Sequence, residues 1–158
     1  MTEEQLDEAI HEYAMRETEV DFRDWTTAIM RLPPSVRVYY FSWLLEREVC
    51  NGGFIHFFLN FWGRLGNEGA SCFEALGSPE LAAVIQRAVV IFWTEIESGK
   101  YVDKEGYEVE LAVDPLLRHM DDEFYRLRQE VDTDRLRRNY LREHSAELMS
   151  CLANERQS

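Results

Sequence analysis

The residues of this chain that could catalyse a reaction are few, and the sequence does not bring them together as a set. His56 stands among the phenylalanines of the segment NGGFIHFFLN, shortly after Cys50. A cysteine nucleophile needs a base and a third group that orients the base, and no such group accompanies this pair. His119 has acidic neighbours on its helical face but lacks the second histidine of a helical zinc site. We therefore expect no catalysis, no metal and no cofactor, and an enzyme with a site near His56 is the least favoured alternative.

Acidic residues are the outstanding chemical feature of the chain. It carries 30 acidic and 17 basic residues, a net charge of -13, and nearly all the excess lies in residues 1–24 and 95–123. In a helix, Glu4, Glu8 and Glu12 form one row on the side opposite the apolar residues, so the row faces water. Like charges at this spacing destabilise a helix by roughly a few tenths of a kcal/mol per pair. The row has no benefit for folding, which favours either solubility or the binding of a basic partner.

The spacing of these charges limits what they can imitate. A helical row offers one charge about every 6 Å, whereas duplex DNA presents one per about 1.7 Å of its axis. One row is too sparse to imitate a phosphate backbone, so both acidic blocks would have to share a surface, doubled by the two-fold axis of a homodimer. Such a surface would attract basic proteins and repel nucleic acid and anionic membranes.

Apolar residues recur at helical spacing along most of the chain. This predicts an all-α fold in a single domain over residues 1–158, with one short hairpin or loop near residues 99–112, where apolar and acidic residues alternate. Thr2 and Gln5 form the pattern of a capping box at the start of the first helix. Further helices are predicted around Trp25, from Pro33 to Gly52, from Gly53 to Phe61, around Phe73, from Pro79 to about Ile96, from Asp114 to Leu127 and from about Thr133 to Leu152.

Two further features concern the compartment. No segment reaches the run of about 18 apolar residues that a membrane span needs, and the acidic N-terminus is unlike a signal peptide. The three cysteines show no CxxC spacing, so neither a disulfide framework nor a zinc site is indicated. We expect a cytoplasmic protein that does not contact the membrane.

The segments LPPSVRVYYFSWLLEREVCNGGFIHFFLNFWG and LLRHMDDEFYRL carry a recognisable pattern. They resemble the family called domain of unknown function 4375, which includes a bacterial DNA-mimic protein, over about residues 25–127. The matching positions are Leu32, Pro33, Val49, Asn51, Gly52, Gly53, Phe54, Phe57, Phe58, Asn60, Gly63, Asp121, Asp122, Phe124 and Tyr125. The resemblance implies a helical fold, a homodimer and, as in the characterised relative, binding of a transcription factor at the surface that it otherwise offers to DNA. Cys50 and His56 depart from the asparagine and glutamine usual in the family.

The shared NGGF segment has a structural interpretation. Gly52 and Gly53 would let two helices turn closely, and the phenylalanines at 54, 57 and 58 would fill the core. Asn51 and Asn60 would cap helix ends. The segment therefore predicts the architecture, while the acidic residues predict the function.

The leading hypothesis is a DNA-mimic-like protein that binds the DNA-binding surface of a transcription factor, such as a repressor, or of another basic nucleic-acid-binding protein, without catalysis. The residues predicted to stand in for phosphates are Glu4, Glu8, Glu12, Glu17, Asp21, Asp103, Glu105, Glu108 and Glu110. An immunity or antitoxin-like protein that blocks a basic toxin is the alternative. A basic row in the last helix, Arg135, Arg138 and Arg142, would weaken the hypothesis if it paired with these acids.

Overall fold

Eight helices, with no strand among them, account for nearly all of residues 1–19, 24–61 and 63–155, which a computed structural model describes. They are α1 (Glu3–Glu19), α2 (Trp25–Arg31), α3 (Pro34–Phe61), α4 (Gly66–Ala75), α5 (Pro79–Glu97), α6 (Gly106–Glu130), α7 (Thr133–Glu143) and α8 (Ser145–Glu155). The all-α prediction is confirmed, and the described residues form one compact domain.

The first helix begins at the predicted capping box. The backbone N–H of Thr2 donates to the Gln5 side chain at 2.9 Å, and the Gln5 N–H donates to the Thr2 hydroxyl at 3.2 Å. These bonds satisfy donors that a helix N-terminus leaves free. The helix then continues for 17 residues, longer than the three turns expected from its apolar pattern.

The central helix, α3, is a tight hairpin of two helical halves. Gly52 and Gly53 have non-helical backbone angles, and Gly53 has φ 76° and ψ -179°, a conformation open mainly to glycine. The rings of Phe41 and Phe61 lie 5.9 Å apart, although twenty residues of straight helix would separate them by about 30 Å. The prediction that one helix ends at Gly52 and another begins at Gly53 is therefore confirmed.

The α3 hairpin lies between two groups of helices. It contacts all seven of the others in the described part of the chain. On one side α1, α7 and α8 pack against one another, and on the other α5 packs against α4 and α6. The three phenylalanines of the NGGF segment, at 54, 57 and 58, are fully buried between these groups.

Of the short hairpin or loop predicted near residues 99–112, the structure has a loop up to residue 105 and no hairpin, and the prediction was wrong from residue 106 onward. A loop ends there, and α6 begins with a capping box in which the Glu105 N–H donates to the Glu108 carboxylate at 3.2 Å. The alternation of residues 107–111 was too short to distinguish a strand from a helix, since Val109 and Val113 also lie one helical turn apart and both are buried.

Pro115 lies inside α6. The pair Asp114 and Pro115 had suggested that a helix begins there, and this prediction was wrong. A proline here removes the N–H that would bond the carbonyl of Leu111. Leu111 is exposed, so water can solvate that carbonyl.

The single last helix predicted from about Thr133 to Leu152 was also wrong, because the chain divides into α7 and α8 at His144. His144 has φ -107° and ψ 14°, outside the helical range. Its ring stacks on Tyr140 with centroids 3.9 Å apart, and its Nδ1 lies 3.1 Å from the Tyr140 carbonyl oxygen. No glycine or proline marks this break in the sequence.

Candidate functional site

A cleft of about 590 Å³ opens between α1, α3 and α7. Helix α1 contributes four of its carboxylates, α3 contributes aromatic rings, and α7 contributes one carboxylate and two guanidinium groups. The lining residues are Glu4, Asp7, Glu8, His11, Glu12, Tyr39, Trp43, Asp134, Arg137 and Arg138.

Three of the predicted phosphate-mimicking residues lie along this cleft. Glu4, Glu8 and Glu12 are exposed, since Leu6 and Ile10 bury the opposite side of α1 against the core. None of the three carboxylates forms an ion pair with another residue that the structure describes. Their charge is therefore available to a partner.

Below the cleft, α3 and α7 are joined by a buried ionic network. Glu46, only 5% exposed, accepts hydrogen bonds from Arg128 Nε, from the Thr133 hydroxyl at 3.1 Å and from Arg137 Nη2 at 2.8 Å. Arg137 Nη2 also contacts Asp134 at 2.9 Å. A buried carboxylate is tolerated only with such partners. The network therefore holds α7 against α3.

This network also lines a second cleft, of about 370 Å³, which continues the first. The two clefts share Trp43, Asp134 and Arg137, and the second reaches Cys50 and Asn51 at the α3 turn. Asn51, predicted as a helix cap, is exposed there.

The Glu46 network and its role in forming the cleft were not predicted from the sequence. One signal was available: Glu46 falls on the same helical face as Tyr39, Ser42 and Val49, which are buried. A charged residue on a buried face needs a partner of opposite charge.

His11 forms part of the aromatic side of the cleft. Its ring meets Trp43 edge-on with centroids 4.4 Å apart, and it also meets Tyr40. Burial lowers the pKa of His11 below its ordinary value, although Asp7 opposes this shift. Burial also raises the pKa of Asp7. Nothing in the sequence singled out either residue.

The NGGF segment meets the later DDEFYRL segment directly at the α3 turn. The Phe54 N–H donates to Asp121 Oδ1 at 2.7 Å, so this carboxylate caps the second half of α3. A Cβ on Gly53 would lie 2.7 Å from Asp121 Oδ2, so only glycine leaves room for the bond. Burial raises the pKa of Asp121 above its ordinary value, and the hydrogen bond from Phe54 opposes this shift without cancelling it. Tyr125 adds a bond to the Val49 carbonyl oxygen at 2.8 Å.

This contact joins the two sequence segments on which the family resemblance rests, and a family model described as DMP19-like protein matches residues 30–144. The chain belongs to the DMP19-like protein family. The match is consistent with the DNA-mimic family indicated by the NGGF segment. No curated protein and no solved structure matches the chain.

The DMP19-like match covers α3 to α7, including the NGGF turn and the Glu46 network, but not α1. The acidic row of α1 therefore lies outside the matched residues. The family match therefore includes the parts of α3 and α7 that line the cleft, whereas the acidic row of α1 is a feature of this chain.

The second acidic block of this DMP19-like chain lies away from the cleft. Asp103, Glu105, Glu108 and Glu110 are exposed around the start of α6, and none of them lines the cleft. Glu105 and Glu108 form the capping box of α6. Glu108 also pairs with Lys104 at 3.1 Å, and this bond holds the pKa of Glu108 below its usual value. Two of these four acids are thus engaged in starting a helix.

Two other predicted residues lie on or after α1. Glu17 is exposed but does not line the cleft. Asp21 falls outside the residues that the structure describes.

The basic row of α7 pairs with one acid of α1, Glu3, and forms no ion pair with Glu4, Glu8 or Glu12. Arg142 bonds Glu3 at 2.6 Å, and this contact lowers the pKa of Glu3. Arg135 and Arg138 are exposed and form no ion pair with a described residue, although Arg138 lines the cleft. Glu3 was not among the residues predicted to contact a partner.

The alternative site near His56 is a small polar surface cluster. Glu48 lies 3.1 Å from His56 Nε2 and accepts a hydrogen bond from Asn60 at 2.6 Å. Asn60, predicted as a cap, therefore bonds a side chain here. Burial raises the pKa of Cys50, the direction opposite to that of an activated thiolate. Within the described ranges no group of histidine, cysteine and acidic residues is arranged to hold a metal ion.

One structural observation bears on the expectation that the chain does not contact a membrane. None of the helices in the described part of the chain is long and apolar enough to cross a bilayer.

Proposed function

We propose that this chain is a non-catalytic, DNA-mimic-like protein that occupies the DNA-binding surface of a basic protein, such as a repressor. The observation that carries the proposal is the row of carboxylates at Glu4, Glu8 and Glu12, which lie along an open cleft and form no ion pair with a described residue. Membership of the DMP19-like family supports it. A partner that binds DNA has a surface selected to hold closely spaced negative charges, and such a surface is attracted to this row from beyond contact distance.

The cleft increases the charge density that the row alone lacks. Asp7 and Asp134 place two further carboxylates beside the row, so five acids share one concave surface. Arg137 and Arg138 offset two of these charges, and the remaining negative charge of the cleft attracts cations. We propose that a homodimer presents two such clefts, which would suit the two half-sites contacted by a dimeric repressor. Asp103 and Glu110 would extend the contact in a larger partner.

Affinity capture followed by gel-shift competition tests the function. The chain is used to recover a partner from the extract of its native cell, and the partner is then bound to its DNA. We expect excess wild-type chain to release the DNA and the Glu4→Gln, Glu8→Gln, Glu12→Gln triple variant to release much less. A partner that keeps its DNA at large excess of the wild-type chain contradicts the proposal. Recovery of a basic toxin would instead support the antitoxin alternative.

A further inference from the structure

Arg137, beside the cleft, carries a hydrogen-bond donor that a mimic of DNA phosphates does not need. Arg137 is 5% exposed and lines both clefts. Its Nη2 bonds Glu46, Thr133 and Asp134, whereas its buried Nη1 has no hydrogen-bond partner among the described residues. A buried unpaired N–H is costly, and native structures contain few. The atom therefore points to an acceptor supplied from outside the chain.

The charge of the cleft restricts that acceptor. Five carboxylates and two guanidinium groups line it, a net charge of -3 when His11 is neutral. A carboxylate or phosphate ligand would be repelled by this field. A neutral carbonyl oxygen would not, particularly if it arrived with positive charges beside it.

A peptide segment with basic side chains combines these two groups. Its main-chain carbonyls are strong neutral acceptors, and its lysine or arginine side chains complement the acids of α1. Trp43 already accepts one basic side chain, since the Arg47 guanidinium lies over its ring 5.3 Å from the centroid, so this aromatic surface suits the stems of such side chains. A polyamine would supply the charge but no acceptor.

We propose that the cleft receives an extended lysine- or arginine-bearing segment of the partner, with basic side chains beside Glu4, Glu8 and Glu12 and a main-chain carbonyl bonded to Arg137 Nη1. The inference rests on the proposed function in that the partner is basic. Of the acceptors that hold Arg137, Asp134 is 74% exposed. That ion pair is weaker than the buried pair with Glu46, so its release lets the guanidinium turn toward the carbonyl. The bond to Arg137 Nη1 thus favours a peptide segment, which carries a carbonyl oxygen, over a cation that has no hydrogen-bond acceptor.

The test compares two probes of equal positive charge, a capped lysine–glycine peptide and spermine, by titration calorimetry against the full chain. We expect the peptide to bind about tenfold more tightly, the usual effect of one hydrogen bond to a charged group. Arg137→Lys keeps a cation opposite Glu46 but removes Nη1, and it should bring peptide affinity down to that of spermine. Spermine affinity should not change. Arg135→Lys, a matched change at an exposed arginine of α7 that does not line the cleft, should leave both affinities unchanged.

Nuclear magnetic resonance of the wild-type chain provides a readout that does not depend on the folding of a variant. The peptide should shift the guanidinium signal of Arg137 and the indole signal of Trp43, while spermine should leave the Arg137 signal in place. Equal affinities for the two probes together with an unmoved Arg137 signal would overturn the proposal. That result would leave the attraction to basic partners intact, whereas failed DNA release with normal peptide binding would reject the proposed function alone.

Discussion

Replacing Gly53 by alanine should destabilise the chain more than the same change at Gly77, a glycine that also has a positive φ. Its φ of 76° and ψ of -179° lie in a region that costs a residue with a side chain about 1–3 kcal/mol. The new Cβ would also lie 2.7 Å from Asp121 Oδ2, so the carboxylate must leave the Phe54 N–H. Loss of a hydrogen bond to a charged group adds about 1.5–3 kcal/mol. The total loss is about 3–6 kcal/mol in the free energy of unfolding.

Urea denaturation followed by circular dichroism measures this loss. Gly77→Ala is the matched control, because Gly77 also has a positive φ, 86°, but a Cβ there would meet nothing within 4 Å. The control should lose only about 1–2 kcal/mol. If Gly53→Ala proved no more destabilising than Gly77→Ala, the idea that the NGGF turn exists to admit Asp121 would be refuted.

Three other predictions concern single side chains, and each is read from denaturation curves. Asp121→Ala should lower the free energy of unfolding by about 1–3 kcal/mol, because it leaves the Phe54 N–H unpaired. Asp121→Asn should cost less, because its amide oxygen can accept the same hydrogen bond. Equal losses would show that this hydrogen bond does not stabilise the turn. Glu46→Ala should lower the free energy of unfolding by about 3–5 kcal/mol, because it leaves the buried charge of Arg137 without its partner. The control Glu80→Ala, at an exposed residue, should cost less than about 0.5 kcal/mol. Similar losses for both would contradict the role of the network. Burial lowers the pKa of His11, so the unfolded state binds its proton first as the pH falls: the wild type should lose stability below about pH 6.5, the ordinary value, down to the lowered pKa. His11→Gln should lack that part of the slope, and unchanged slopes would exclude His11 as its source.

Local sequence signals were sufficient for most helices and for the α3 turn. Asn51, Gly52 and Gly53 interrupt a helical pattern in the way that only a turn explains, and the phenylalanines on either side of it keep one face. The start of α6 was missed because Glu105 is an unusual cap and only its bond with Glu108 reveals it. The break at His144 was missed because neither glycine nor proline marks it.

The candidate site was predictable only in part. The spacing of Glu4, Glu8 and Glu12 was enough to place them on one exposed row. Their position in a cleft depends on α7, which is more than a hundred residues away in the sequence and is held there by Arg137 and Glu46. Pairings over such distances leave no periodic trace in the sequence, so the cleft could not be inferred before the structure.

The central claim, that a basic partner binds the acidic row of α1, is tested most directly by the affinity of the captured partner for three forms of the chain over a range of salt concentrations. The forms are the wild type, the Glu4→Gln, Glu8→Gln, Glu12→Gln variant, and a control in which the exposed residues Glu74, Glu80 and Glu143 are changed to glutamine. The account predicts that wild type and control bind alike and weaken steeply with salt, while the α1 variant binds weakly with a shallower dependence. An α1 variant with wild-type affinity and wild-type salt dependence would contradict it.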